Sequence, residues 1–300
     1  MKKDYDYIYL KDDCKAYFLK RIRNANLQNY YVMSAKNKFF RTFRKYAPKR
    51  KWLWGSWKND VEKYKLFILG ENNFNPRFTK YIKKHNPDAK IIMFIWNCIV
   101  PYNSDKPNYQ NAFKDPNIDE IWSFDRNDVK KYNLKFNTQL YSKEFKIDTS
   151  YIDNDIVFCG REKGRDPKLS ALKDKFDELG LKNNIIITRR EKDWTPYDDY
   201  LNIVGHSKAV LNVVAGHQVG LSLREMESIF FEKKLITDNQ DVVNYNFYDP
   251  QNIFIIGKDN FDDLVDFVNS PYKKLDKEIV EYYDFHTWIK RFNENTNKRN

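Results

Sequence analysis

The sequence predicts an α/β fold made of two halves, each built from parallel strands and helices. Short apolar runs alternate with longer charged, helix-like stretches along the whole chain of 300 residues, a length typical of two domains. In the second half some runs are apolar on consecutive residues, as in 185–187 and 210–214, which suits strands covered by helices on both faces. Alternation of strands and helices favours parallel βαβ units.

In the first half, the apolar runs predict strands at 7–10, 30–33, 66–69, 90–96 and 121–124. Asn75 and Pro76 occupy the cap and first-turn positions of a helix predicted over 75–85, and a short helix is predicted over 128–132.

The second half predicts a more regular alternation. The strands are expected at 156–159, 184–188, 209–214, 234–237 and 253–256. The helices are expected at 167–178, 197–207, 221–231, 241–245 and 261–269. Asp166 is expected to cap the first of these helices and Gly180 to follow its end. Apolar residues spaced three and four apart over 277–292 predict an amphipathic helix in the tail.

Composition and charge restrict the class of protein. Hydrophobic residues make up 41 % and charged residues 32 % of the chain, which is a globular balance. The net charge of +11 favours anionic partners: nucleic acid, nucleotide phosphates or an anionic membrane surface. Three cysteines without a CxxC pair argue against a disulfide framework or a structural zinc site.

The location of the protein is predicted from what its sequence lacks. Four aspartates within the first 13 residues interrupt the region where a secretory signal needs an apolar core. The most apolar run, 91–100, is too short to span a bilayer. We expect a cytoplasmic protein, with peripheral association at the inner face of the cell membrane as an open alternative.

The stretch FCGREKGR, residues 158–165, is a candidate phosphate-binding turn. Gly160 and Gly164 would let the backbone approach an anion, and the following helix would add its dipole. Arg161, Lys163 and Arg165 can donate charge-assisted hydrogen bonds. The stretch is neither GxGxxG nor a P-loop, and a solvated basic turn is the alternative.

A second cluster follows the strand predicted to end near residue 214. Its sequence, GHQVGLSLREMES, covers 216–228 and leads to EKKLITDN at 232–239. Arg224 and Glu227 are three residues apart and therefore share one helix face. Arg224 suits a phosphate, and Glu227 suits two ribose hydroxyls because a carboxylate accepts two hydrogen bonds. A surface ion pair between the two is the alternative.

These two stretches, in this order, resemble the C-terminal half of bacterial GT-B glycosyltransferases used in capsule, exopolysaccharide or lipopolysaccharide assembly. The likeness covers about residues 150–270. It implies two Rossmann-like domains facing a cleft: an acceptor domain over 1–150 and a nucleotide-sugar domain over 151–274. A tail helix, 275–300, would pack across the seam onto the N-terminal domain.

The resemblance also implies a metal-independent hexosyltransferase that moves a sugar from a nucleotide-diphosphate donor to a growing glycan or glycolipid. A UDP-sugar is the expected donor. It implies no separate cofactor. The implied donor-binding residues are Gly160, Arg161, Lys163, Gly164, Arg165, Thr188, Gln218, Gly220, Leu221, Ser222, Arg224 and Glu227. The E-x7-E motif of retaining GT-B enzymes is absent. It would need a glutamate eight residues before Glu227, and that position is Val219. Glu225 is expected to have no direct role.

Asp125 and His217 are the candidate catalytic residues. Asp125 follows the strand predicted to end at residue 124, where a carboxylate could deprotonate an acceptor hydroxyl; capping of the next helix is its alternative role. His217 lies in the glycine-rich turn at a strand end, where ligands of open α/β sheets bind. Trp96 and Asn97, also at a strand end, could line an acceptor groove.

The basic and aromatic stretch 36–58 leaves a second function open. It could stack on and neutralise single-stranded nucleic acid, or lie on anionic lipid beside a polyprenyl-linked acceptor. A basic α/β nucleic-acid-binding protein is therefore the alternative function, whereas no nucleic-acid partner is expected of the glycosyltransferase.

Overall fold

The computed structural model describes residues 5–11, 18–32, 49–99, 108–190, 193–216 and 218–293. The chain divides into two compact units, Met1–Asn137 and Thr138–Asn300. Each unit is built on a sheet whose described strands all pair in parallel. The predicted α/β fold with two parallel sheets is confirmed.

The first unit contains a six-stranded sheet. Its strands are β1 (Tyr7–Leu10), β2 (Leu27–Gln28), β3 (Leu66–Gly70), β4 (Lys90–Ile95), β5 (Glu120–Ser123) and β6 (Lys135–Phe136). Its helices are α1 (Pro76–His85), α2 (Asn108–Phe113) and α3 (Arg126–Tyr132). The strand order is β2-β1-β3-β4-β5-β6. Short 3-10 turns lie at Lys51–Leu53, Ser56–Asn59 and Val61–Lys63.

Helix α1 forms for the reasons that its sequence indicates. The Asn75 side chain accepts a hydrogen bond from the Arg77 backbone N at 3.1 Å, and Pro76 occupies the first turn. Phe78 and Ile82, four residues apart, are both buried against the sheet. The helix therefore covers one face of the first sheet with its apolar stripe.

The strand predicted at 30–33 is wrong within its described part. Tyr31 forms an isolated antiparallel bridge with Trp54 and is not part of a strand. The described strand of this region is β2. The Tyr30 ring stacks on Phe78 with centroids 5.0 Å apart, and its hydroxyl donates to the Gly70 carbonyl at 2.8 Å. An apolar run signals burial, and here aromatic side chains enter the core from a loop.

The second unit contains a five-stranded sheet. Its strands are β7 (Asn154–Arg161), β8 (Asn183–Thr188), β9 (Ser207–Asn212), β10 (Lys234–Thr237) and β11 (Ile253–Ile255). Its helices are α4 (Asp166–Glu178), α5 (Tyr197–Gly205), α6 (Leu223–Phe231), α7 (Leu264–Asn269), α8 (Lys277–Tyr283) and α9 (Phe285–Lys290). The strand order is β11-β10-β9-β7-β8. Gln240–Asn244 and Phe261–Asp263 form 3-10 turns where α-helix was predicted.

This strand order creates a switch point beside β7. The chain passes from β7 to its neighbour β8, and then returns to place β9 on the opposite side of β7. Loops that leave the carboxyl ends of β7 and β9 therefore diverge and leave a crevice, which is where open α/β sheets bind ligands. The order β2-β1-β3 gives the first sheet the same feature.

Several helix boundaries differ from the prediction, and two of the differences have a clear local cause. Helix α4 begins at Asp166 with Arg165 as its cap, so the cap lies one residue earlier than expected. The tail forms two helices, because Asp284 is extended and its side chain caps α9 by accepting from the His286 backbone N at 3.2 Å. Asp284 also accepts from the Lys143 backbone N at 3.0 Å, which fixes the break between the helices.

The described part of the tail packs within the second unit. The Trp288 indole N donates to the Thr138 carbonyl at 2.8 Å, and Arg291 donates to the Thr138 hydroxyl at 2.8 Å. The expected contact between the tail and the N-terminal domain stays a prediction. None of the described helices is both long and apolar enough to cross a bilayer.

Replacing Trp288 by alanine should destabilise the second unit by about 3–5 kcal/mol, because loss of the fully buried indole leaves a cavity and removes the hydrogen bond to the Thr138 carbonyl. Trp288 is 0 % exposed, whereas Trp52 is 71 % exposed, so Trp52→Ala is the matched control. Denaturant unfolding measures both variants. Equal free energies of unfolding for the two would contradict the prediction.

Candidate functional site

The candidate site lies at the carboxyl ends of β7 and β9, where the turn after β7 redirects the chain. Lys163 and Gly164 have φ values of 45° and 76°, in the left-handed region that favours glycine. The Glu162 carboxylate accepts from the Gly164 backbone N at 3.0 Å, and the Glu162 carbonyl accepts from the Arg165 backbone N at 2.9 Å. This turn brings Arg165 back over the end of the sheet.

Arg165 is held rigidly at the switch point. Its Nη1 donates to the Val213 carbonyl, just after β9, at 2.7 Å, and its Nη2 donates to the Arg161 carbonyl at the end of β7. Only 8 % of the residue is exposed. Burial, followed by the like charge of Arg224, lowers the pKa of Arg165 to about 10, so the guanidinium remains charged at neutral pH.

Arg224 approaches the same place from the first turn of α6. Its Nη2 donates to the Cys159 carbonyl. Its guanidinium carbon lies 4.6 Å from the centroid of the Phe158 ring, and that of Arg165 lies 5.1 Å from it. The Nε of Arg224 is buried, and no residue of the described ranges accepts a hydrogen bond from it. We call Arg165 and Arg224 the arginine pair.

Gly160 makes room for the arginine pair. A Cβ atom at this position would lie 2.3 Å from Arg224 Nη2 and 3.2 Å from Arg165 Nη2. Two guanidinium groups that crowd one glycine repel each other. An anion between or beside them would offset this repulsion and could accept from the unpaired Nε–H. The geometry is therefore suited to bind a phosphate group.

The remaining residues predicted from the first stretch surround this centre. Arg161 and Lys163 are exposed, and the Arg161 guanidinium carbon lies 5.0 Å from the centroid of the Trp194 ring. Thr188 ends β8, where its carbonyl accepts from the Glu162 backbone N at 3.1 Å. The sequence analysis did not single out Trp194, because its contact with Arg161 joins segments about 30 residues apart and leaves no local signal.

The second predicted stretch supplies the loop between β9 and α6. Gln218 Nε2 donates to the Gly220 carbonyl at 2.9 Å, and Leu221 is buried. Ser222 caps α6, since its hydroxyl accepts from the Arg224 backbone N at 3.1 Å. His217 lies outside the described residues, and its catalytic role stays a prediction.

Glu225 anchors this loop, a role that the sequence analysis missed. Its Oε2 accepts from the Ser222 backbone N at 2.8 Å, which completes a capping box with the Ser222 hydroxyl. Its Oε1 accepts from Asn212 Nδ2 at 2.7 Å, at the end of β9. The Ser-x-x-Glu spacing before an apolar run is the known signature of such a box and could have revealed it.

Glu227 points into the unit and is 1 % exposed. Its Oε1 accepts from the Tyr197 hydroxyl at 3.0 Å and its Oε2 from the Tyr200 hydroxyl at 2.5 Å. Burial raises the pKa of Glu227 to about 7, against the opposing effects of the Tyr200 hydrogen bond and the Arg224 charge. The predicted contact with ribose hydroxyls stays untested, and both oxygens already have phenol donors.

The candidate residues of the first unit lie at the carboxyl edge of its own sheet. Asp125 is buried and caps α3 by accepting from the backbone N atoms of Asn127 and Asp128 at 2.9 and 3.2 Å. Its capping role is confirmed, and its role as a base stays a prediction. At the end of β4, the Lys11 ammonium lies 3.8 Å from the Trp96 ring centroid.

The Glu71 carboxylate holds the residues that follow β4 through two hydrogen bonds. Its Oε2 accepts from the Trp96 backbone N at 3.2 Å, and its Oε1 accepts from Asn97 Nδ2 at 2.7 Å. The predicted role of Trp96 and Asn97 in an acceptor groove stays a prediction. Within the described ranges, no group of three or more His, Cys, Asp or Glu side chains could hold a metal ion.

Comparison with known proteins gives limited likenesses. No family model and no curated protein matches the chain. An α-glucosyltransferase solved with UDP and a 13-mer DNA containing a central A:G mismatch has a TM-score of 0.46 at 11 % identity, covering 95 % of this chain and 92 % of that one. A Listeria monocytogenes protein assigned as a UDP-N-acetylglucosamine 2-epimerase has a TM-score of 0.42 at 10 % identity, covering 91 % and 85 %. Both likenesses concern the fold alone.

Proposed function

We propose that this chain is a glycosyltransferase that moves a sugar from a nucleotide-diphosphate donor to a growing cell-surface glycan or glycolipid. The observation that carries the proposal is the arginine pair at the switch point of the second sheet. Two converging guanidinium groups and one buried, unpaired Nε–H suit a ligand rich in anionic oxygens.

The position of the pair favours a diphosphate over a single carboxylate. Arg165 donates to three backbone carbonyls and Arg224 to one, so the pair is pre-organised. Arg224 also lies in the first turn of α6, where the helix dipole favours negative charge. Arg161 at the end of β7 and Lys163 on the following turn would extend the positive charge outward to a second phosphate.

The chemistry of the proposed reaction requires such charge. An acceptor hydroxyl would attack the anomeric carbon, its proton would pass to a base, and the bond between that carbon and the diphosphate oxygen would break. The electron pair of the broken bond stays on the departing diphosphate, and the arginine pair would stabilise this developing charge. Asp125 and His217 remain the candidate bases. The choice of UDP as the first donor nucleotide to test, and the class of acceptor, rest on the resemblance of the two motifs.

Calorimetry against UDP, GDP, CMP, NAD, uridine and a short oligonucleotide tests the proposal. Arg224→Ala should weaken UDP binding by about 10- to 150-fold, the equivalent of losing a charged hydrogen bond of about 1.5–3 kcal/mol. Uridine binding should change little, because uridine has no phosphate. Arg77→Ala is the control, since Arg77 is an exposed arginine of α1.

Two results would contradict the proposal. Parent-like UDP binding by the Arg224→Ala variant would show that the arginine pair does not bind the diphosphate. Tight binding to the oligonucleotide alone, falling steeply with salt, would instead support the alternative of a nucleic-acid-binding protein.

A further inference from the structure

A buried cluster of three phenols and one carboxylate lies behind the arginine pair. It consists of Glu227, Tyr197, Tyr200 and Tyr141, and we call it the Glu227 cluster. The Tyr197 and Tyr200 hydroxyls donate to the two oxygens of Glu227. The Tyr197 hydroxyl also lies 2.7 Å from the Tyr141 hydroxyl. Because the one Tyr197 proton is donated to Glu227, the Tyr141 hydroxyl donates to the Tyr197 oxygen.

The geometry of this cluster does not favour Glu227 as a direct ligand contact. Both carboxylate oxygens have donors at 3.0 and 2.5 Å, and the side chain is almost inaccessible to solvent. Its connection to the candidate site is Arg224, which lies one helical turn earlier on the same face of α6. The positive charge of Arg224 stabilises the Glu227 carboxylate and opposes the effect of burial on the pKa of Glu227.

We propose that Glu227 is a positioning residue that takes up a proton when a phosphate group binds to the arginine pair. This inference rests on the proposed function, because it concerns the same site. In this proposal Glu227 acts on Arg224 through its charge and does not contact the donor.

The physical reason is a competition for Arg224. Without a ligand, Arg224 stabilises the Glu227 carboxylate, while burial destabilises it. A bound phosphate partly neutralises Arg224 and adds negative charge nearby, so the carboxylate loses stabilisation and its proton affinity rises. The pKa of Glu227 in the free protein is about 7, which places this exchange within the neutral range.

The hydrogen bonds around Glu227 can accommodate the added proton. A protonated Glu227 would donate from Oε1 to the Tyr197 oxygen, and the Tyr197 hydroxyl would then turn and donate to the Tyr141 oxygen. The contact between Tyr197 and Tyr141 permits either direction of donation. Tyr200 would continue to donate to Oε2.

Within the described ranges, the charged and titratable groups around Glu227 come from α5, α6 and β7, and Tyr141 joins them through Tyr197. Tyr197 and Tyr200 belong to α5, Arg224 and Glu225 to α6, and Cys159 to β7. Burial raises the pKa values of Tyr200 and Cys159, and Glu225 is buried with its pKa raised and its oxygens bound to Ser222 and Asn212. Glu227 is therefore the member of this group that we expect to exchange its proton near pH 7.

Calorimetry with UDP-glucose at pH 7, in two buffers of different ionisation enthalpy, measures the proton uptake directly. UDP-glucose is a suitable probe because its diphosphate is esterified at both ends and has no proton to exchange near this pH. The parent should take up about 0.4 proton per molecule bound. Its affinity should be about 3- to 10-fold weaker at pH 8.5 than at pH 6, because linkage is reciprocal.

Variants identify the group that carries the proton. Glu227→Gln should bind UDP-glucose without proton uptake and with a flat pH profile. Glu178→Gln is the control, because the Glu178 side chain is 67 % exposed, and it should behave as the parent. If Glu227→Gln does not fold, Tyr200→Phe replaces it: loss of this donor should move the midpoint of the profile to higher pH.

The possible outcomes separate this inference from the proposed function. Binding of UDP-glucose without proton uptake would overturn the role of Glu227 and leave the glycosyltransferase proposal intact. Loss of binding in a folded Glu227→Gln variant would indicate that Glu227 contacts the ligand directly, and would also overturn the inference. Failure of the parent to bind either UDP-glucose or GDP-mannose would overturn both.

Discussion

Gly160→Ala should weaken UDP binding by about 10-fold or more while leaving the free energy of unfolding almost unchanged. The added methyl group would lie 2.3 Å from Arg224 Nη2, so Arg224 must move. Arg224 can move because the clash involves the end of a long side chain, and the movement breaks its hydrogen bond to the Cys159 carbonyl. Gly160 lies in β7 and does not have a positive φ, so alanine adds no backbone strain. The substitution therefore displaces a phosphate-binding group without damaging the fold.

Gly70→Ala is the matched control for this experiment. Gly70 ends β3 in the first sheet, and a Cβ there would lie 3.1 Å from the Lys11 side chain. Calorimetry with UDP and denaturant unfolding compare the two variants. Parent-like UDP binding by Gly160→Ala, or an equal loss of binding in Gly70→Ala, would show that the position of Arg224 does not govern phosphate binding.

Glu225→Ala should lower the free energy of unfolding by about 3–4 kcal/mol, the largest effect on stability that we expect near the site. It removes the capping box and the acceptor of the Ser222 backbone N. The Asn212 amide loses its 2.7 Å acceptor and keeps the Thr237 hydroxyl at 3.2 Å. Because Ser222 and Asn212 hold the start of α6 against the end of β9, UDP binding should weaken as a secondary effect of a loosened Arg224.

Urea unfolding of the Glu225→Ala and Glu178→Ala variants measures this contribution. Both glutamates lie in helices, but only Glu225 is buried, so the control should unfold like the parent. A Glu225→Ala variant as stable as the control would contradict the role of Glu225 as the anchor of the loop. A variant of full stability that does not bind UDP would instead make Glu225 a ligand contact.

The regular parts of the fold were predictable because their signals are local. Residues 234–237 were predicted as a strand and form β10 with the same bounds. The Asn75-Pro76 start of α1 was also correct, since a cap and a first-turn proline act within one turn of helix. The predicted strand at 30–33 failed because an apolar run reports burial and not the backbone conformation that produces it.

The candidate site was predictable only in its parts. The glycines and basic residues of 158–165 and the Arg224 helix were identified as phosphate-binding stretches, and these two stretches meet at one phenylalanine ring. The contact of each guanidinium with a carbonyl of a distant segment was not predictable. Such contacts depend on the strand order, which no local pattern specifies.

The sequence by itself determined which residue types could serve the site: two glycines, a basic turn and an arginine in the first turn of a helix. Only the tertiary structure decided how they are used. It placed Arg165 and Arg224 together because β9 lies beside β7 and not beside β8. It also directed Glu227 toward two phenols, through the packing of α5. The physical reason is that residue chemistry is a local property, whereas burial and charge proximity arise from segments far apart in the chain.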